Sequence, residues 1–153
     1  MIFISADILK ILYKHGVECY PKEACGFISL NGNITKALNI QDQLNKKNPH
    51  IYSRNAENGY TMSFKDLKAL EASFKTLNPA ICIYHSHPDV GAYFSQEDID
   101  KALFMEEPIY NVDYLVLDIR NGYAQGAKQF SFIEKQFVCT ATYDLEGNII
   151  HNQ

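Results

Sequence analysis

The first hydrophobic pattern along the chain has a helical step. Ile8, Leu9, Ile11 and Leu12 recur at helical spacing behind Ser5, whose hydroxyl can cap a first turn, and Gly16 is placed to end the run. A helix over 5–15 is expected. The pattern then changes. Ala24-Cys-Gly-Phe-Ile-Ser-Leu30 is a short continuous apolar stretch that reads as a buried strand, and Asn31-Gly32-Asn33 turns the chain into a second strand over 34–40. Residues 41–50 are polar, carry Pro49 and are expected to be a loop between elements.

Helical spacing returns behind Ser63, with Phe64, Leu67, Leu70, Phe74 and Leu77 three and four apart until Asn78-Pro79 stops the run. Ile81-Cys-Ile-Tyr84 is short and wholly apolar, as a central strand would be, and it leads directly into His85-Ser-His-Pro88. Ser95 opens another helix through Ile99, Ala102 and Leu103, which closes before Pro108. Three strand-like stretches follow over 114–119, 123–133 and 137–143, with Arg120-Asn-Gly122 and Glu146-Gly-Asn148 as turns. Strands outnumber helices and do not alternate strictly with them. The expected class is mixed α/β, a central mixed sheet flanked by helices in one domain over 1–153.

Composition narrows the function. The chain has 153 residues, 46% hydrophobic and 21% charged, which excludes disorder and coiled coil and is enough for a core that needs no metal to hold it. A metal found here is therefore expected to be catalytic. The net charge of −4 and the lack of any long basic run argue against nucleic acid as a partner. Cys19, Cys25, Cys82 and Cys139 form no Cys-x-x-Cys pair, so reduced and buried structural thiols in a cytoplasm are expected. The start Met1-Ile-Phe-Ile4 has no positive flank, and neither a signal peptide nor a membrane span is expected.

A hydrolytic zinc site needs three protein ligands, an open position and a nearby base. His85 and His87 lie two apart after a strand, so their imidazoles project to one side, and Asp98 can return an oxygen ligand from the first turn of the next helix. Two nitrogens and one oxygen suit zinc. Ser95 and Asp98, three apart before Ile99, are equally readable as a helix-capping pair, and the two readings are compatible. Other His-x-His sites fit less well. Val90 breaks the metallo-β-lactamase pattern, the Pro-Cys-x-x-Cys of zinc deaminases is absent, and amidohydrolase barrels need roughly 250 residues.

The stretch from His85 through Pro88, Ser95 and Asp98 resembles the signature of JAMM (MPN+) zinc metallopeptidases, and Tyr20-Pro-Lys-Glu23-Ala-Cys-Gly26 resembles the upstream segment carrying that family's glutamate. The similarity runs over roughly residues 5–130 and is nearest the small stand-alone prokaryotic members. It implies a JAMM/MPN, cytidine-deaminase-like fold and one zinc per chain held by His85, His87 and Asp98. It also implies Glu23 as general base and then acid, and Ser95 as oxyanion donor. The implied substrate is a ubiquitin-like or sulfur-carrier protein cut after its C-terminal Gly-Gly, and the implied enzyme is a deubiquitinase-like isopeptidase. The same scaffold also serves non-catalytic MPN-type interaction modules and JAMM-type proteins of DNA repair or phage tails.

Without this likeness, Glu23 is indistinguishable from a solvated loop carboxylate. Tyr93 and Phe94 can contact an extended tail or pack under the helix. Cys25 opens an apolar strand and is not read as a nucleophile, and His15, His50 and His151 are read as isolated surface or capping residues.

Overall fold

The computed structural model describes residues 2–150. Its elements are α1 (Ala6–Cys19), β1 (Cys25–Ser29), β2 (Ile34–Ala37), α2 (Gln41–Lys47), α3 (Phe64–Ser73), β3 (Ala80–Pro88), α4 (Gln96–Ala102), β4 (Leu103–Phe104), β5 (Glu107–Pro108), β6 (Asp113–Arg120), β7 (Tyr123–Ile133) and β8 (Gln136–Tyr143). Six strands form one sheet in the order β2-β1-β3-β6-β7-β8, and β4 and β5 make a separate small hairpin. All neighbours in the large sheet are antiparallel except β3 and β6. That parallel pair requires a crossover, and the crossover carries α4. The expected mixed α/β class is the one found.

Two-residue alternation along the central strands sorts side chains between two layers. Ile28, Tyr84, Leu115, Leu117 and Ile119 meet Leu9, Leu12 and Tyr13 of α1 on one face. Leu9 and Leu12 are fully buried, each contributing about 1.5–3 kcal/mol by leaving water. Phe27, Ile83 and Tyr114 face the other way, against Met62, Leu70 of α3 and Ala102 of α4. No helix among the described residues is long and apolar enough to cross a membrane.

Several boundaries differ from the sequence reading. Gly16 does not end α1, which runs on to Cys19; a Cβ there would meet Ile119 Cδ1 at 2.9 Å, so the glycine lets the helix lie close on β6. Residues 41–47 form a helix, α2, where a loop was expected. It is held by tertiary polar contacts: Asp42 accepts from the Ala56 N–H at 2.8 Å and pairs with Lys22 at 2.9 Å. The second strand stops at Ala37, and α3 stops at Ser73, leaving Leu77 99% exposed rather than on an apolar helix face. β3 continues through His85 and His87 to Pro88, so the histidines belong to the strand itself. The β4–β5 hairpin was not anticipated; Met105 and Glu106 turn it with positive φ. Of the four unpaired cysteines, Cys25 and Cys82 are buried as expected, Cys19 is half-buried and Cys139 is exposed.

Candidate metal centre

The alternation that puts Ile83 on the α3/α4 face puts His85 and His87 there too. His85 pairs in register with Cys25 of β1 and Val116 of β6, at the middle of the sheet, and both imidazoles are buried. Asp98 arrives from the first turn of α4. Ser95 caps that helix: its Oγ accepts from the Asp98 N–H at 3.1 Å, and Asp98 Oδ2 accepts from the Ser95 N–H at 3.0 Å. This reciprocal box fixes the carboxylate and leaves it lone pairs for the strand. Oδ1 lies 3.2 Å from His85 Nε2, Oδ2 lies 3.3 Å from His87 Nε2, and the two Nε2 atoms are 3.0 Å apart.

These spacings bear on a metal. A tetrahedral ion with nitrogen and oxygen ligands at about 2.0–2.1 Å has donor atoms separated by about 3.3–3.4 Å. Each neutral imidazole can bring one Nε2 proton to a carboxylate oxygen, but the 3.0 Å contact between the two Nε2 atoms then sets two N–H groups against each other. A cation among them meets every lone pair, so the donor set fits a metal. Glu23, His85 and His87 likewise each offer a ligand atom within 4.8 Å of the others, and this buried cluster can hold a metal ion.

Glu23 reaches the centre from the segment before β1. Its N–H donates to Ala56 O at 2.7 Å, and its carbonyl accepts from Asn39 Nδ2 at 2.9 Å. The next residue is stitched to the strand between the histidines: Ala24 N–H donates to Ser86 Oγ at 2.7 Å, and Ser86 N–H donates to Ala24 O at 3.0 Å. Tyr20 Oη donates to Asp89 Oδ2 at 2.8 Å, tying the same segment to the loop after His87. The Glu23 carboxylate makes no ion pair with either histidine, yet stays within 4.8 Å, about the span one water would bridge.

Burial pushes the Glu23 carboxyl up to about 8, against the pull of His87. Burial also works to raise the Asp98 carboxyl, but the two imidazoles and the Ser95 N–H outweigh it and hold it well below the usual carboxylate range. His85 is lowered by burial. His87 is raised: burial opposes protonation there, and Asp98 and Glu23 more than compensate. Positive charge at this centre is thus stabilised chiefly by the ionised Asp98 carboxylate, whether a proton or a metal carries it.

A cleft of about 150 Å³ opens over the centre, lined by Glu23, His87, Ser95, Asp98, Tyr60 and Lys101. Tyr93 and Phe94 differ in placement. Tyr93 is exposed at the rim, its ring edge-on to His87 at 5.1 Å, whereas Phe94 packs against Tyr114, Phe130 and Phe137. Cys25 is buried and its thiol is pushed up to about 12 by burial, as befits an inert packing residue. His15 is not at the surface: it is buried, with Nδ1 2.8 Å from Tyr84 Oη. His50 is exposed, and His151 lies outside the described residues.

The sequence reading passed over Tyr60, Lys101 and the Arg54–Glu97 ion pair, all at the cleft. Lys101, three residues past Asp98 and so on the same side of the helix, was the one with a readable signal.

Two solved structures share the fold. One is the solution structure of protein DSY2949 from Desulfitobacterium hafniense, with a TM-score of 0.63 and 18% identity over 91% of this chain and 89% of that one. The other is the solution structure of a protein from Salinibacter ruber, with a TM-score of 0.56 and 21% identity over 90% of this chain and 88% of that one. A crystal structure of AF2198, a JAB1/MPN domain protein from Archaeoglobus fulgidus, aligns with a TM-score of 0.42 and 13% identity over 98% of this chain and 95% of that one. None of the curated proteins matches the chain. The sequence profile that describes prokaryotic homologs of the JAB domain matches residues 5–122, and the chain belongs to that family.

Proposed function

We propose that this protein is a zinc-dependent peptidase or isopeptidase that cuts after the C-terminal Gly-Gly of a ubiquitin-like or sulfur-carrier protein. The observation that carries the reading is the donor triangle of His85, His87 and Asp98, with the buried Glu23 carboxylate one water's width behind it. Zinc held by those three residues would supply Lewis acidity to a carbonyl and to water. Glu23 then receives the attacking water's proton and returns it to the departing amine. Ser95 Oγ accepts from the Asp98 N–H, which leaves its own proton free to donate to the developing oxyanion.

The cleft supports the substrate class. At about 150 Å³ it falls below the roughly 300–1,000 Å³ of small-molecule sites, and a chain without side chains can approach the centre closely. The unpaired cysteines suit work in a reducing cytoplasm. The test is mass spectrometry of ubiquitin-like and sulfur-carrier fusions extended beyond Gly-Gly, beside free tail peptides and a Gly→Ala tail. We expect cleavage directly after Gly-Gly in the folded fusions, much slower cleavage of the peptides, and none of the Gly→Ala variant, because folded-carrier binding positions the scissile bond. Equal cleavage of all three would mean a general peptidase. Cleavage of none by the zinc-loaded protein would favour a non-catalytic interaction module.

A further inference from the structure

We propose that Tyr60, held in place by Lys101, is the positioning residue that orients His85 in the donor triangle; the inference rests on the metal-centre reading above. An imidazole that binds a metal through one nitrogen ordinarily donates its other N–H to a carbonyl or carboxylate, which fixes the ring. His87 follows this rule, with Nδ1 3.0 Å from Gly91 O. His85 does not: its Nδ1 is buried and has no hydrogen-bond partner among the described residues.

What touches the His85 ring instead is the face of Tyr60, with centroids 4.6 Å apart and planes inclined by 27°. Swinging the imidazole about its Cβ–Cγ bond would drive it into that ring. Tyr60 comes from the irregular connection between α2 and α3, where it is buried in the cluster of Phe27, Met62 and Ile83 and is further held from α4 by Lys101. Its ammonium donates to the Tyr60 carbonyl oxygen and lies 4.1 Å from the centre of the same ring. Because Lys101 stands three residues beyond Asp98 on α4, one clamp ties the helix bearing the carboxylate ligand to the ring of a histidine on β3.

The test uses Tyr60→Phe, Tyr60→Leu and Lys101→Met in the full chain, measuring Zn²⁺ affinity by competition with a chromophoric chelator. Imidazole ¹⁵N spectra of the zinc-free proteins read the His85 tautomer directly, and circular dichroism checks folding. Tyr60→Phe keeps the stacked face and should bind zinc within about twofold of the parent. Tyr60→Leu should bind roughly 10–100-fold more weakly, the usual cost of losing a ligand's supporting contact. Lys101→Met is the sharper variant, and it carries the test should Tyr60→Leu fail to fold. Removing a nearby cation would by electrostatics alone tighten zinc binding, so weaker binding reports loss of the clamp.

Tyr60→Leu or Lys101→Met binding zinc as tightly as the parent, with an unchanged His85 signal, overturns the proposal. So does Tyr60→Phe losing as much as Tyr60→Leu. A parent protein that binds no zinc, yet loses its single His85 tautomer in Tyr60→Leu, would overturn the metal reading and leave the orienting role standing.

Discussion

Glu23 and His87 sit at the same centre but differ in what a substitution should remove. Glu23 makes no ion pair with the imidazoles, so Glu23→Gln should retain zinc and lose hydrolysis by about a hundredfold to ten-thousandfold, since an amide cannot accept the water's proton. His87→Ala should lose zinc and activity together. Metal content by elemental analysis, beside turnover, decides it; wild-type turnover in Glu23→Gln would mean another carboxylate is the base. Ser95 caps α4, and the proposed reaction gives its hydroxyl a second role as donor to the oxyanion. Ser95→Ala should therefore slow the reaction by about a hundredfold to a thousandfold and destabilise the fold by about 1 kcal/mol. Ser95→Gly separates them, since glycine at an N-cap costs only a few tenths of a kcal/mol and carries no side-chain donor. Its melting temperature should recover while its rate does not, and recovery of both would leave the cap as Ser95's only role.

At the scale of elements, α1 is coupled to the site strand through a buried polar contact. His15 on the helix meets Tyr84, the residue before His85, and Gly26 leaves room for that hydroxyl, since a Cβ there would lie 2.6 Å from Tyr84 Oη. Burial lowers the His15 pKa below its ordinary 6.5, with Lys36 adding to the shift. The unfolded chain therefore binds a proton that the fold refuses. The stabilisation is complete above about pH 6.5 and is lost as pH falls from there toward the lowered folded value. Urea unfolding at pH 7.5 and 5.5, at fixed metal content, should show a larger drop in the parent than in His15→Gln. An equal drop in both would mean His15 is as readily protonated in the fold as out of it.

The same elements show what a sequence can carry. The capped start of α1, the β1–β2 hairpin and the apolar run into His85 are local signals, each legible within a few residues. Gly16 misled because its function is a close approach to Ile119, more than a hundred positions away. The helix α2 has no apolar period to read, being held by Asp42 and by Gln41 reaching the Arg54 carbonyl. Within the candidate site, His85, His87, Ser95 and Asp98 shared one readable spacing. Glu23 was legible only through resemblance, and Tyr60 hardly at all, because a loop residue stacked on a strand histidine leaves no periodic trace.

For the molecule as a whole, the placement of the centre predicts how the protein should respond to losing its metal. The two apolar layers lie on opposite faces of the sheet and are built from α1, α3 and the central strands, without relying on the donor triangle. Where those three donors meet, protonation of His87 can take over part of the charge that a metal would carry, with Asp98 as its ion-pair partner. Chelation should therefore abolish hydrolysis and leave a cooperatively folded domain with unchanged far-ultraviolet circular dichroism. The melting temperature should still fall, because a ligand that binds only the folded state stabilises it by mass action. Free metal at a hundredfold over its dissociation constant contributes about 2.7 kcal/mol, which for a domain of this size corresponds to about 5–11 °C. Differential scanning calorimetry with and without chelator measures that shift. Loss of the cooperative transition on chelation would mean that the metal organises the sheet as well as the chemistry, and that the two apolar layers are too weak to stand without it.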